Sequence, residues 1–136
     1  MDLDEARAFI GEHHAAVLAT RKKSGGIQLT PVSAGVDGEG RVIVSSRERA
    51  FKVRNARRDP YVSLLILSDG ISGRWIQVEG RAEVLSLPDA MEPLVDYYRG
   101  ISGEHPNWAE YREAMERDER VLVRVTLERA GPDRAF

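Results

Sequence analysis

Trp75-Ile76-Gln77-Val78-Glu79-Gly80-Arg81-Ala82-Glu83-Val84 alternates with the period of a strand that has one dry face and one wet one. Ile76, Val78, Ala82 and Val84 point one way, and Gln77, Glu79, Arg81 and Glu83 the other, with Trp75 heading the polar face. The neighbouring stretches have the same character. Residues 61–68 are almost wholly apolar through Val62, Leu64, Leu65, Ile66 and Leu67, and predict a strand buried on both faces. Residues 121–128 alternate throughout, with Val121, Val123, Val125 and Leu127 inward against Leu122, Arg124, Thr126 and Glu128. Upstream, 15–21 and 27–36 are β runs joined at Ser24-Gly25-Gly26, and Asp37-Gly38-Glu39-Gly40 turns the second into 41–46. Pro31 has no N–H to give a ladder, so it marks an edge, a bulge or a break in pairing. Six strands joined mostly by tight turns argue against a βαβ alternation. The fold class predicted is mainly β, a six-stranded antiparallel barrel with helices packed at its ends.

Four helices fill the remaining sequence. Asp2 can cap the first, with Glu5 three residues on and Leu3, Ala6, Phe9 and Ile10 as its apolar stripe. Ser46 is the expected cap of a second that ends at Arg58, because Pro60 disfavours helical geometry at Asp59. Leu87, Met91, Leu94, Val95 and Tyr98 repeat at helical spacing, with Pro88 in the first turn, a kink at Pro93 and Gly100 as the stop. Asn107 with Glu110 resembles a capping box for the last, whose core face is Trp108, Tyr111 and Met115.

A length of 136 residues with 42% hydrophobic positions predicts one domain spanning 1–136. The absence of cysteine excludes a disulfide framework, a thiolate zinc site and a cysteine nucleophile. No apolar run approaches the roughly 20 residues of a membrane span. The acidic start, Met1-Asp2-Leu3-Asp4-Glu5, is unlike a secretory signal, so the expected location is cytoplasmic. A net charge of −2 and a pI near 5.9 argue against general nucleic-acid binding.

That small net charge conceals a concentration. Residues 47–58 hold six bases and one acid, a local charge of +5 that leaves −7 for the rest of the chain. On a helix Arg47, Arg54 and Arg58 share a face and Lys52 lies on its flank. The preceding strand ends in two hydroxyls, Ser45 and Ser46. Strand end, hydroxyls, helix N-terminus and cations together suit a phosphate. The same spacing also fits a solvated basic helix face. A nucleic-acid patch fits less well, because no aromatic or base-reading residues interleave with the charges. Trp75 has three open roles: packing under the late helices, closing a dimer, or stacking on a ring-shaped ligand.

Other candidates carry less. His13 and His14 diverge on the first helix and make a poor chelate, and His105 before Pro106 suits a local turn. Glycines 35, 38 and 40 lie between two strands without the Lys-Ser/Thr ending of a phosphate loop, so they read as a hairpin. Glu79 and Glu83 flank Arg81, which is expected to neutralise both. With no acid–base dyad or nucleophile constellation, the chemistry of an enzyme built this way belongs to a cofactor.

The order of features also resembles a known family. Val17-Leu18-Ala19-Thr20, Gln28-Leu29-Thr30-Pro31-Val32, Val42-Ile43-Val44-Ser45, Lys52 through Asp59-Pro60 and Val78-Glu79-Gly80-Arg81-Ala82 look like the pyridoxamine 5′-phosphate oxidase-like, flavin-binding split β-barrels. Residues 97–105 and 108–115 resemble the small actinobacterial branch associated with the deazaflavin coenzyme F420. Only three of the 20 basic residues are lysines, an arginine bias typical of GC-rich genomes. The resemblance spans about residues 3–128.

It implies a homodimer with cofactor grooves between subunits, a small-molecule substrate, and coenzyme F420 as cofactor, with FMN as the alternative. It implies that Lys52 binds the cofactor phosphate, that Thr30, Pro31 and Val32 run beside the ring, and that Ser45 and Ser46 lie near the ribityl phosphate. Arg54, Arg57 and Arg58 are implied helpers, and Trp75 is carried with them as a candidate for the ring. Phe51 stands where relatives have a base before the lysine, a role open to Arg49 or Arg54. The tail after Leu127 is shorter than in relatives, where it shapes the substrate side. The implied activity is hydride transfer between reduced F420 and a small conjugated or heteroaromatic acceptor. An FMN oxidoreductase and a non-enzymatic flavin or deazaflavin carrier are the alternatives.

Overall fold

The computed structural model describes residues 1–135. The chain runs α1 (Leu3–Glu12), β1 (Ala15–Arg21), β2 (Ile27–Ser33), β3 (Gly35–Val36), β4 (Val42–Arg47), α2 (Phe51–Arg58), β5 (Tyr61–Leu67), β6 (Arg74–Leu85), α3 (Met91–Ser102), α4 (Trp108–Arg117) and β7 (Arg120–Ala135). Every strand pair is antiparallel, in the order β2-β1-β5-β6-β7-β4-β3. The expected 27–36 strand is broken at Ala34, whose N–H bonds to His14 O at 2.8 Å, and this makes seven strands of the six expected. Its first half pairs with β1 and its second with β4, so one segment of chain forms both edges of the sheet and the sheet curls into a split barrel. Pro31 sits opposite Val17 on the edge strand, where its missing donor costs no ladder bond.

The barrel interior contains the predicted inward residues Ile76, Val78, Val123 and Val125, joined by Leu18, Val44, Leu64 and Ile66, all essentially inaccessible. α1 adds Ala6, Phe9 and Ile10 near one end of β1, β5 and β6, and α2 adds Val53 and Ala56 near the other. Each such aliphatic side chain contributes about 1.5–3 kcal/mol relative to exposure. Asp2 caps α1 as expected, its carboxylate accepting from Glu5 N–H at 2.7 Å. Asn107 caps α4 through Glu110 N–H at 3.1 Å.

Elsewhere the structure corrects the reading. β5 is not buried on both faces: Val62, Leu64 and Ile66 enter the core, while Leu65 and Leu67 lie half-exposed on the outer surface. Ser46 is not a helix cap. β4 continues through Arg47, paired with Arg120, and a turn closed by Ala50 N–H on Arg47 O delays α2 until Phe51. Arg47 therefore lies on a strand and off the helix face it was expected to share with Arg54 and Arg58. α3 starts at Met91, past Pro88, and Pro93 falls in its first turn, where no intrahelical donor is lost. Gly100 lies within α3, and Gly103, at φ 81°, ends it. Leu122 faces out from the barrel but is 1% exposed, because α3 and α4 cover it with Leu94, Val95 and Tyr111. The tail after Leu127 extends β7 along the start of β6, with Arg74 and Asp133 joined by two bonds of 2.8 Å.

Gly80 shows how closely β6 and β7 approach. A Cβ there would stand 2.0 Å from Thr126 O, beside the register shift between Glu79 and Gly80. The obstacle is backbone, which has little room to give. Gly80→Ala is expected to cost about 3 kcal/mol, the upper end of overpacking effects. Thermal denaturation should show a drop of many degrees.

Candidate functional site

The eight residues of α2 divide the expected cation cluster in two. Phe51, Arg54, Asn55 and Arg58 fall at helical spacing on one face and line a groove of about 540 Å³ whose other wall is the β1–β2 hairpin, with Lys22, Lys23 and Gln28. No carboxylate lines it. Asn55 anchors the helix to the barrel, its buried amide donating to Thr20 Oγ1 at 3.1 Å. Arg58 donates to Arg21 O at 2.8 Å and Asn55 Oδ1 at 2.9 Å, so it closes the end of the hairpin as well as lining the groove. Arg54 lies over the Phe51 ring, 5.9 Å from its centroid, and Phe51 is 70% exposed.

Lys52 points elsewhere. It is half-buried, and among the described residues no acid pairs with it. Burial, and then the charge of Arg120 nearby, hold its amine below the ordinary lysine value. Arg57 is already engaged, bonding Glu48 and donating to Ser86 Oγ at 2.9 Å. Glu48 is held below the usual carboxylate range chiefly by that guanidinium. Arg49 is exposed and 3.9 Å from Glu119, while Arg54 faces the groove, away from Lys52.

The strand candidates flank the seam of the barrel, where β2 runs close to β4. Thr30 and Val32 face inward and are half-buried, and Pro31 is exposed on the outer edge. Ser45 lies opposite Leu122 on the outward face, whereas Ser46 lies opposite Val121, turns into the barrel and is 2% exposed. Its Oγ has no hydrogen-bond partner among the described residues. Tyr97 of α3 closes over the seam, donating to Ser33 O at 2.8 Å, and burial raises its phenol above the ordinary tyrosine range. Trp75 is half-buried between Leu67 and Arg134 in the sheet, away from the α3–α4 core, so it does not pack under the late helices.

Three cations here escaped the sequence reading. Lys22 and Lys23, two of the three lysines, were legible as a pair at a hairpin tip but gave no sign of facing α2. Arg120 carried no signal, since a charged residue opening an alternating strand reads as solvent-facing. Its Nε is buried without a partner among the described residues.

The remaining candidates have structural roles. His14 Nδ1 is 2.7 Å from Ala34 O at the strand break. His105 accepts from Asn107 N–H at 2.9 Å and packs among Tyr98, Trp108 and Tyr111. Arg81 pairs with Glu128 at 3.3 Å, and Glu83 with Arg124, so Arg81 does not neutralise its strand neighbours as expected. Glu79 instead accepts from Tyr61 Oη at 2.5 Å. Among the described residues no group of acids and histidines could hold a metal. No described helix is long and apolar enough to cross a membrane.

A curled antiparallel sheet whose two edges are one strand, flanked by a seam and a helix rich in unpaired cations, defines the split-barrel class. The pattern of the pyridoxamine 5′-phosphate oxidase family matches residues 3–131, and the chain belongs to that family. It is 30% identical over 129 residues to an F420H(2)-dependent biliverdin reductase of Mycobacterium tuberculosis, covering 93% of this chain and 84% of that protein. A conserved hypothetical protein of M. tuberculosis, known from its crystal structure, superposes with a TM-score of 0.77 at 28% identity, over 96% of this chain and 82% of that one. An F420 reductase structure shares the fold at a TM-score of 0.70 and 18% identity, over 92% and 94%. The residues present fit a phosphate-bearing ring cofactor: Lys52 is partly desolvated and unpaired, Arg120 Nε is orphaned, and every charged side chain lining the hairpin groove is a cation.

The depressed Lys52 amine has a stability consequence. The folded state binds fewer protons here than the unfolded chain, whose value is near 10.5. The cost is present at neutral pH and fades as pH rises from the folded value toward 10.5. Lys52→Met should therefore melt at or above the parent temperature at pH 7 in ligand-free protein. Thermal melts at rising pH should show that difference closing.

Proposed function

We propose that the protein is an oxidoreductase that binds coenzyme F420 and reduces a small conjugated or heteroaromatic acceptor. The observation that carries this reading is Lys52, a half-buried cation with no acid to neutralise it. Such a group is stable in the folded state only at a cost that a bound phosphate removes. Arg54, Arg58, Lys22 and Lys23 line the adjoining groove and suit the acidic remainder of the coenzyme. Arg57 has a structural role in this reading, since Glu48 and Ser86 occupy it. Thr30, Pro31 and Val32 present an edge strand to the ring, and Ser45 offers an outward hydroxyl. The reduced deazaflavin, when bound, supplies the hydride. The protein contributes binding, orientation and exclusion of water. The relationship to an F420H(2)-dependent reductase at 30% identity favours F420 over FMN.

The outer face supports a homodimer as the working form. Val17, Leu65, Leu67 and Trp75 form a half-exposed apolar surface across β1, β5 and β6, with Leu29 62% exposed beside them on β2. The α3–α4 pair covers another part of the same outer face, over β4 and β7. An apolar face of this kind on a soluble protein marks an interaction surface. A second copy supplies the second wall of the cofactor groove, and the expected location is the cytoplasm. Leu65→Glu should shift the protein to monomer in analytical ultracentrifugation and weaken coenzyme binding in parallel.

Side-by-side titration against F420, FMN and FAD tests the cofactor. F420 is expected to bind tightest. Lys52→Ala should weaken it at least tenfold, and Arg57→Ala less than twofold. An unchanged dissociation constant in Lys52→Ala defeats the site assignment. Preferential retention of FMN would make the protein an FMN oxidoreductase. Tight F420 binding without oxidation of the reduced form across an acceptor panel would make it a carrier.

A further inference from the structure

We propose that Arg120, at the start of β7, is the second cation of the phosphate site whose first is Lys52. The proposal rests on the reading of Lys52 as a phosphate ligand and adds a residue from a distant part of the chain. Arg120 is brought to α2 by the β4–β7 ladder, in which it stands opposite Arg47, one residue beyond the Ser46–Val121 pair. Ser45 and Leu122 lie on the same outward face of that ladder, so the Ser45 hydroxyl and the Arg120 side chain share a side of the sheet. The Ser46 hydroxyl, facing the barrel interior, belongs to neither.

The arrangement is costly without an anion. Arg120 Nε has no hydrogen-bond partner among the described residues although it is shielded from solvent. A buried guanidinium nitrogen left unsatisfied is costly to the folded state. Carboxylates are near enough to be chosen: Glu48, Glu116 and Glu119 line the same recess of about 310 Å³ as Arg120. Glu48 is committed to Arg57 and Ser86, and Glu119 faces Arg49. None of the three is within 4.0 Å of an Arg120 nitrogen. Arg120 is instead close enough to Lys52 to depress its amine, and to Tyr97 and Tyr111 to favour their ionised forms. Two partly desolvated cations within electrostatic reach of one another, neither paired with an acid, suit an anionic oxygen ligand. A phosphate monoester or diester meets the Arg120 fork and the Lys52 point charge with complementary geometry.

The test uses the full-length protein in its native oligomeric state. Three variants, Arg120→Met, Arg120→Lys and Lys52→Ala, are titrated with F420, FMN and inorganic phosphate, and each is melted without ligand. Arg120→Met should weaken the coenzyme that the parent prefers at least tenfold, and abolish any rise in melting temperature caused by phosphate. It should melt no lower than the parent when ligand-free, because it removes an unsatisfied buried group. Arg120→Lys should recover part of the affinity by restoring the charge.

Carbon-13 methylation of the chain's three lysines gives a readout independent of any ligand. The Lys52 amine should titrate at higher pH in Arg120→Met than in the parent. An unchanged Lys52 titration would overturn the juxtaposition. Affinity within twofold of the parent in Arg120→Met, with Lys52→Ala weakened, overturns the role of Arg120 and leaves the phosphate reading standing. Full affinity in both variants overturns the two together. A lower ligand-free melting temperature in Arg120→Met, with no recovery in Arg120→Lys, would make Arg120 structural and overturn the proposal.

Discussion

The structure depends on one break in pairing. Between Ser33 and Gly35 the chain stops bonding β1 and starts bonding β4, with Ala34 fully buried at the crossing and its N–H on His14 O. Because that one segment is both edges of the sheet, the barrel closes without a continuous ladder across its seam. A sheet edge is otherwise a template for aggregation. Here the exposed edge is short, carries Pro31, and is overlaid where Tyr97 reaches Ser33. The seam also sets the place of the candidate site, because β2, with Thr30 and Val32, runs close to β4, with Ser45, and α2 follows β4 after one turn.

Charge is distributed by the same geometry. The +5 segment at 47–58 looked like one patch in sequence, but a strand end, a turn and a two-turn helix distribute its cations over three surroundings. Arg57 is neutralised by Glu48, Arg54 and Arg58 join the hairpin lysines on a groove, and Lys52 meets Arg120. A cation's surroundings decide its use: a paired one holds structure, while a desolvated unpaired one is poised for an anion.

The strands were legible because their alternation is locally encoded. β1 has the bounds read from sequence, and the inward set of β6 is the one the pattern gave. What failed was local chemistry overridden by distant pairing. Ser46 has a good helix-cap side chain, but pairing with β7 kept it in a strand. Leu122 read as outward, which it is, yet α3 and α4 cover it. The half-exposed second face of β5 was read as core, because apolar content alone does not say whether its cover is the chain itself or another copy. Among the candidate residues, Lys52 and Ser45 were expected from motif order and Ser46 turns into the barrel instead, while Arg120 was illegible: its place follows from a ladder joining positions more than seventy apart in sequence.

The place of β7 bears on how the molecule is made. It is the last described strand to be synthesised, yet it lies between β6 and β4 and pairs with both along most of its length. A chain emerging from the ribosome therefore presents two unsatisfied strand edges and an open core until that strand arrives. The β1–β2 and β5–β6 hairpins can form early, from contacts close in sequence. Closure of the barrel, and with it the placing of Arg120 at the end of β4, waits on β7. Until β7 docks, the ladder that sets Arg120 opposite Arg47 does not exist.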